Sequence, residues 1–216
     1  MYSPGVHTPF LLSDSDVRHL GEGQALQFDD FASGAEVQDW SDAIASSHAE
    51  FSAGRTGASH TQDSQVRTDL RAWESDLPGR FLGLRERFVE VSTELNAAAW
   101  LGLGGFSIQL AAFQAGGHYQ AHRDALRGDR ARRVTAIIYL NSAWKEADGG
   151  CLRVHNAGKS RDIEPRGGRL VVFLSDRLLH EVLPGSATRH AATAWFRGYD
   201  TPTDVLTPVE PTRTRP

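Results

Sequence analysis

The chain has 216 residues, enough for one domain with a buried core, and a net charge of −4 with a pI near 6.1. This charge gives no general reason to expect nucleic acid or an anionic membrane as a partner. The single cysteine, Cys151, excludes an intrachain disulfide and fits a reducing cytoplasm. The N-terminus does not resemble a signal peptide, and every apolar stretch is far shorter than the roughly 20 residues of a membrane span. The composition therefore predicts a single-domain cytoplasmic protein.

The first half of the chain contains the predicted helices. Residues 1–24 mix proline, glycine, serine and aspartate without a period, and we predict an N-terminal arm that is loose or contributes one edge strand. Apolar side chains recur at helical spacing over residues 35–52, and the clearest helical period covers residues 78–100, beginning near Pro78. Between these helices, residues 53–65 are small and polar, which is typical of a loop.

From about residue 105 the apolar pattern changes to that of short strands separated by glycine-containing turns. The predicted strands lie in the runs FSIQLAAF, HYQAHRDA, VTAIIYLN, CLRVHNA, RLVVFLS and ATAWFRGY. Helices followed by many short strands favour an all-β core with packed helices, a double-stranded β-helix or jelly roll, over residues 25–200. Residues 201–216 contain four prolines among threonines and are predicted to be a disordered tail.

One motif, His122-Arg123-Asp124, combines two groups that bind metals. Residues i and i+2 of a strand point to the same face, so His122 and Asp124 can reach one point in space. Two histidines and one carboxylate on one face are the ligands of non-haem Fe(II) oxygenases, and they leave positions open for a co-substrate and dioxygen. An H-x-D pair occurs by chance in many chains, but here His180 ends a later apolar run. Arg189, at the start of the last strand, suits a carboxylate at the base of a pocket.

The region from 117 to 198 resembles the catalytic core of the prolyl 4-hydroxylase superfamily. Within it, the similarity is greatest to the hypoxia-inducible-factor prolyl hydroxylases of the Egl-nine type and their bacterial relatives. The runs that carry it are HYQAHRDA, RRVTAIIYLNSAW, DGGCLRVH, DIEPRGGRLVVFLSDR, HEVLP and TRHAATAWF. Upstream, VRTDLRAW resembles a further segment of that family at Arg67, Asp69 and Trp73. The resemblance covers roughly residues 35–200.

The resemblance implies roles for individual residues. His122, Asp124 and His180 match the iron ligands, which together with Arg189 form the expected catalytic set. Arg189 matches the residue that pairs with the distal carboxylate of 2-oxoglutarate. Three more residues match positions of the cofactor pocket. Thr193 matches a hydroxyl of the pocket wall, Trp195 a packing residue behind the metal, and Tyr119 an aromatic at the mouth of the pocket.

Two positions depart from the family pattern. Phe113 falls where the family often has a tyrosine that bonds 2-oxoglutarate near its metal-binding end. Ile138 falls where the animal enzymes have a tyrosine that touches the distal carboxylate, and the neighbouring Tyr139 is predicted to point to the opposite face. Loss of one hydrogen bond to a charged group weakens binding by about 1.5–3 kcal/mol. The sequence therefore predicts weaker 2-oxoglutarate binding than in the animal enzymes.

The resemblance also implies the reaction. Its cofactors and co-substrates are Fe(II), 2-oxoglutarate, O2 and ascorbate, and it hydroxylates an unactivated C–H bond while 2-oxoglutarate is converted to succinate and CO2. We expect a prolyl residue of a protein as the target, and elongation factor Tu is a substrate of bacterial relatives. The alternatives are a hydroxylase of a free amino acid or natural-product intermediate, and a non-catalytic metal-binding jelly roll.

Three charged residues are candidates for substrate contact. Arg67 and Asp69 lead into a mobile loop over the active site in the resembling family, and residues 54–65 are the corresponding lid candidate. A local salt bridge is the alternative interpretation of this pair. Arg132 lines the predicted entrance or, alternatively, is a solvated surface residue.

Overall fold

The computed structural model describes residues 9–54, 63–125 and 132–199. The α-helices in these residues are α1 (Asp14–Gly21), α2 (Gly34–Ser46) and α3 (Leu84–Ala99). The strands are β1 (Leu26–Phe28), β2 (Ser52–Ala53), β3 (Leu70–Trp73), β4 (Leu103–Phe113), β5 (Tyr119–His122), β6 (Val134–Tyr139), β7 (Leu152–Asn156), β8 (Lys159–Ile163), β9 (Leu170–Leu174), β10 (Leu179–Val182) and β11 (Arg189–Gly198). No helix of this described part is long and apolar enough to cross a membrane.

The strands form two antiparallel sheets. The long sheet has the order β1-β9-β6-β11-β4-β3-β2, and the short sheet has the order β5-β10-β7-β8. Neighbouring strands in each sheet are mostly not consecutive in the chain, so the chain crosses repeatedly between the sheets, as in a jelly roll. The predicted all-β core with a double-stranded β-helix is therefore confirmed.

Each strand of the long sheet turns one face to the helices and the other to the short sheet. In β6, Ala136 and Ile138 belong to the core on the helix side, whereas Ile137 and Tyr139 belong to the core between the sheets. Successive side chains of a strand point to opposite faces, so the residues between the sheets occur at every second position. This alternation decides which residues of β4, β6 and β11 reach the site.

The two longer helices cover the outer face of the long sheet. In α2, Val37, Trp40 and Ile44 are buried, as their helical spacing predicts. The helix α3 begins at Leu84, later than the predicted start near Pro78. Gly79 has a φ of 75° and so lies in the left-handed region, which turns the chain before the helix begins.

The described part of the segment predicted as an N-terminal arm packs against the core. Phe10 and Leu20 are buried, and the backbone N–H of Phe10 donates to Glu90 at 2.8 Å. Ser13 caps α1 in a capping box with Asp16, so this segment contains a helix instead of the predicted edge strand. Residues 1–8 and the predicted tail at 201–216 lie outside the described residues.

Candidate active site

Three side chains with metal-binding atoms meet between the two sheets. His122 ends β5 and lies directly opposite His180 in the paired strand β10. Asp124 follows two residues after the end of β5. One ligand atom from each of these residues lies within 4.8 Å of the other two. The Asp124 Oδ1 atom is 3.5 Å from His122 Nε2 and 3.8 Å from His180 Nε2.

Hydrogen bonds orient all three groups toward a common centre. The Nδ1 atom of His122 lies 2.8 Å from the Gln120 carbonyl, and that of His180 lies 3.3 Å from the Leu178 carbonyl. When Nδ1–H donates to these carbonyls, each Nε2 lone pair points to the shared centre. The Thr135 hydroxyl donates to Asp124 Oδ2 at 2.7 Å, which leaves Oδ1 facing the imidazoles.

Burial and neighbouring charge set the protonation states that metal binding requires. Burial lowers the pKa of His180 to about 4, so its imidazole is neutral at neutral pH. Burial alone would raise the pKa of Asp124, but the adjacent His180 and His122 and the Thr135 hydroxyl hold it below its usual range. Neutral imidazoles and an ionised carboxylate are the forms that coordinate a divalent cation. The donor set fits Fe(II).

The Thr135 hydroxyl supports one of these candidate ligands, and valine at this position would keep the side-chain shape without it. We expect Thr135→Val to weaken Fe(II) binding roughly tenfold, since loss of an outer partner of a metal ligand costs 10–100-fold in affinity. Anaerobic Fe(II) titration against a competing chelator measures this. Thr93→Val is the control, because the Thr93 hydroxyl bonds a carbonyl on the exposed side of α3. Equal affinities in the two variants would contradict the role of Thr135.

Arg189 lies at the other end of the same cavity. It begins β11 on the face between the sheets, opposite Phe113 of β4, and only 5% of it is exposed. Its guanidinium carbon is 5.0 Å from the ring centre of Tyr139 and 5.1 Å from that of Phe113. Within the described residues, Arg189 Nε and the Tyr139 hydroxyl are buried polar atoms without a hydrogen-bond partner. Because buried polar groups are rarely left unpaired, this end of the cavity fits a bound carboxylate.

The placement of Ile138 in the cofactor pocket is wrong. Its side chain is fully buried in the core on the helix side, and the residue of β6 that faces Arg189 is Tyr139. Burial raises the pKa of Tyr139, so its hydroxyl stays protonated and can donate a hydrogen bond. Tyr139 supplies a hydroxyl at this end of the cavity, so the loss predicted from Ile138 does not occur. Of the two expected hydroxyls, only the one at Phe113 is missing.

Tyr139→Phe removes the second polar group from the Arg189 end of the cavity without changing its shape. We expect the KM for 2-oxoglutarate to rise about tenfold or more, because a hydrogen bond to a charged group contributes about 1.5–3 kcal/mol. Succinate formation at varied 2-oxoglutarate measures the KM. Tyr199→Phe, at a residue that is 75% exposed, is the matched control. An unchanged KM in Tyr139→Phe would show that its hydroxyl does not meet the co-substrate.

The upstream residues Arg67 and Asp69 form a buried bidentate salt bridge, with both N–O distances at 2.6 Å. The guanidinium of Arg67 lies 4.1 Å from the ring centre of Tyr119, and that ring stacks on His122 at 3.7 Å. This series of contacts connects the salt bridge to a candidate metal ligand. The local salt bridge considered from the sequence is present, and both partners also line the cavity. Most of the lid candidate, residues 55–62, lies outside the described residues.

Thr193 and Trp195 share the inner face of β11 with Arg189. Trp195 packs edge to face against Trp73 at 5.9 Å, and Arg132 lies over the Trp195 ring at 4.3 Å. Arg132 also donates to the Asp124 carbonyl at 3.2 Å, so it lies beside the metal site. The cavity wall includes residues that the sequence did not indicate: Gln109, Ala111, Ile137, Leu152, Val182 and Ala191.

A jelly roll that encloses two histidines and an aspartate at one end of a cavity and an arginine at the other defines a non-haem metal protein with a carboxylate pocket. A family model of the 2OG-Fe(II) oxygenase superfamily matches residues 108–197. Egl nine homolog 1 of Rattus norvegicus is 48% identical over 82 residues, which are 36% of this chain. The match spans only 24% of the length of that relative.

Solved structures extend the similarity over most of the chain. A Pseudomonas putida prolyl-4-hydroxylase gives a TM-score of 0.74 at 32% identity, covering 84% of this chain and 96% of that one. A prolyl hydroxylase from Trichoplax adhaerens, solved with a fragment of the hypoxia inducible factor oxygen degradation domain, gives 0.70 at 26% identity, covering 84% and 86%. The chain belongs to the 2OG-Fe(II) oxygenase superfamily, which requires Fe(II), 2-oxoglutarate and O2.

Proposed function

We propose that the chain is an Fe(II)- and 2-oxoglutarate-dependent dioxygenase that hydroxylates a prolyl residue of a protein. The observation that carries the proposal is one cavity with the His122, Asp124 and His180 donor set at one end and, at the other, Arg189, whose Nε has no partner among the described residues. Similarity to the Pseudomonas putida prolyl-4-hydroxylase over 96% of that chain supports the prolyl target.

Different side chains bind the metal and the co-substrate in the proposed reaction. When bound, Fe(II) supplies the oxidising chemistry, in which one atom of O2 enters the C–H bond of the target and the other enters succinate as 2-oxoglutarate loses CO2. His122, Asp124 and His180 would hold the metal, and three protein ligands would leave coordination positions for the co-substrate and dioxygen. Arg189 and Tyr139 bind the distal carboxylate and so fix the direction in which the co-substrate lies.

The remaining wall of the cavity excludes water and orients the target. Ile137, Leu152 and Val182 line the interior with apolar surface, which keeps bulk water from the reacting atoms. Trp195 lines the cavity, and Trp73, which is 37% exposed, packs against it, so an apolar aromatic surface lies beside the cavity on the long-sheet side. Such a surface suits the aliphatic ring of proline.

Intact elongation factor Tu is the first substrate to test. The protein is incubated with Fe(II), 2-oxoglutarate, ascorbate and elongation factor Tu, and tryptic peptides are read by mass spectrometry. We expect one added oxygen on a single prolyl residue, with one succinate formed per hydroxylation, and neither product without 2-oxoglutarate. Proline-containing proteins from a bacterial extract extend the test. Succinate formation stimulated by a free amino acid, with no prolyl residue oxidised in any protein, would replace this proposal with a small-molecule hydroxylase.

A further inference from the structure

Gln109 is a buried polar side chain that faces the cavity without a partner. It is 5% exposed, and it lines the same cavity as the metal-binding residues and Arg189. Within residues 9–54, 63–125 and 132–199 its amide makes no side-chain hydrogen bond. A primary amide carries two donors and one acceptor, and here its atoms are open to the cavity, where a bound molecule can pair with them. The molecule that fills the cavity is therefore the expected partner.

The position of Gln109 in the sheet separates it from the carboxylate end of the cavity. Gln109 pairs with Thr193 on one side and with Trp73 on the other, whereas Arg189 pairs with Phe113. Gln109 and Phe113 are four positions apart in β4, which is about 13 Å at the 3.2–3.4 Å rise of a strand. This distance places the amide away from the Arg189 end of the cavity.

Gln109 instead lies close to the level of the candidate metal ligands. Thr135, which bonds Asp124, pairs with Trp195, and Trp195 is two residues along β11 from Thr193, the partner of Gln109. On the opposite side Gln109 pairs with Trp73, which is partly exposed to solvent. The amide thus faces the side of the metal centre from which a substrate can enter.

Two packed indoles lie beside this amide. Trp73 pairs directly with Gln109, and Trp195 packs against Trp73. Gln109 thus offers an N–H donor beside an apolar aromatic surface. Carbonyl oxygens next to an aliphatic ring complement this combination, and a prolyl peptide has both. Its proline nitrogen lacks a hydrogen, so carbonyls are the groups that it offers to a donor.

We propose that Gln109 is a positioning residue for the protein substrate, and that its amide N–H donates to a backbone carbonyl next to the target proline. The contact holds the target C–H bond at the metal centre, while Arg189 holds the co-substrate independently. This inference rests on the proposed function and specifies how that site binds a peptide segment.

Two substitutions test the inference. Gln109→Leu removes the amide, and Gln109→Glu keeps the shape but replaces the donor with an acceptor. Gln38→Leu is the matched control, because Gln38 lies on α2 and bonds Asp42 on the exposed side. The measured quantities are the KM for elongation factor Tu or another hydroxylated protein, the KM for 2-oxoglutarate and the ratio of succinate to hydroxylated product.

We expect both Gln109 variants to raise the KM for the protein substrate about tenfold, because the substrate carbonyl loses its hydrogen-bond donor. We expect more succinate than hydroxylated product, because 2-oxoglutarate is still converted to succinate when the target C–H bond is poorly positioned. The KM for 2-oxoglutarate should stay within about twofold, since Arg189 and Tyr139 are unchanged. Wild-type circular dichroism and an unchanged KM for 2-oxoglutarate in both variants would exclude a folding defect.

The opposite pattern overturns the inference. A raised KM for 2-oxoglutarate with an unchanged protein-substrate KM would assign the amide to the co-substrate. Unchanged values of both constants would remove any role in binding. Failure of the proposed function is distinct, because it is seen in the wild-type enzyme: succinate forms, but no prolyl residue gains oxygen.

Discussion

Asp124→Asn is expected to abolish succinate formation and to weaken Fe(II) binding by more than about 100-fold. Asparagine keeps the size of the side chain and can still accept the hydrogen bond from Thr135. It removes the negative charge beside the two imidazoles, and a neutral amide is a poor ligand for a divalent cation. Loss of an outer partner alone costs 10–100-fold in metal affinity, so loss of the charged ligand itself should cost more.

Anaerobic titration of Fe(II), followed by equilibrium competition with a chelator, separates metal binding from catalysis. Asp162→Asn is the control, because Asp162 forms an exposed ion pair with Arg153. Circular dichroism should show that both variants are folded, because Asp124 does not belong to the hydrophobic core. Binding of Fe(II) by Asp124→Asn with wild-type affinity would refute the assignment of Asp124 as a ligand.

Two strands of the long sheet, β6 and β9, were predictable because they are rich in buried β-branched and aromatic residues, whereas β10, which carries His180, was not among the predicted strands. The predicted runs VTAIIYLN and RLVVFLS contain β6 and β9, and the predicted HYQAHRDA contains β5. The strand β8 was missed because its KSRDI sequence is mostly exposed and polar. The helix α1 was missed although Ser13 and Asp16 form a capping box, a pattern that is visible in the sequence.

The direction of the side chains in β6 could not be read from apolarity, because all six residues of this strand are buried. A strand buried on both faces has no polar alternation to show which residues face the site. Thr135 is the polar exception, and its bond to Asp124 places Ile137 and Tyr139 on the same inner face. Reading the strand from Thr135 would have assigned Tyr139, and not Ile138, to the pocket. Gln109 is the corresponding polar exception in β4.

The position of Asp124 in the loop after β5 was also not predicted from the sequence. The predicted strand HYQAHRDA includes Asp124, but β5 ends at His122 in the structure. Asp124 therefore lies beyond the strand whose alternation was used to bring the two side chains together. The ligand atoms nevertheless converge, because Thr135 and the neighbouring histidines hold the carboxylate. The candidate metal ligands were therefore indicated by residue type and spacing, whereas the contacts that position Asp124 required the structure.

Arg189→Leu is expected to raise the KM for 2-oxoglutarate by roughly 100-fold or more, since truncating one partner of a buried charge pair costs about 2–5 kcal/mol. Arg189→Lys should have a smaller effect, because lysine keeps the charge and loses the two-point geometry. Fe(II) binding should change less than about twofold, because Arg189 lies at the opposite end of the cavity from the candidate ligands. Succinate formation at varied 2-oxoglutarate and Fe(II) titration test the two expectations separately.

The double variant Arg189→Leu with Tyr139→Phe decides whether these two residues hold the same carboxylate. If they do, the Tyr139 hydroxyl can contribute little once the arginine is lost, and the double variant should resemble Arg189→Leu alone. Independent roles would instead multiply the two increases in KM. A wild-type KM in Arg189→Leu would place the distal carboxylate elsewhere and would leave the buried, unpaired Arg189 Nε without a ligand. The coupling between Arg189 and Tyr139 is thus the measurement that connects the unpaired atoms of the cavity to the co-substrate.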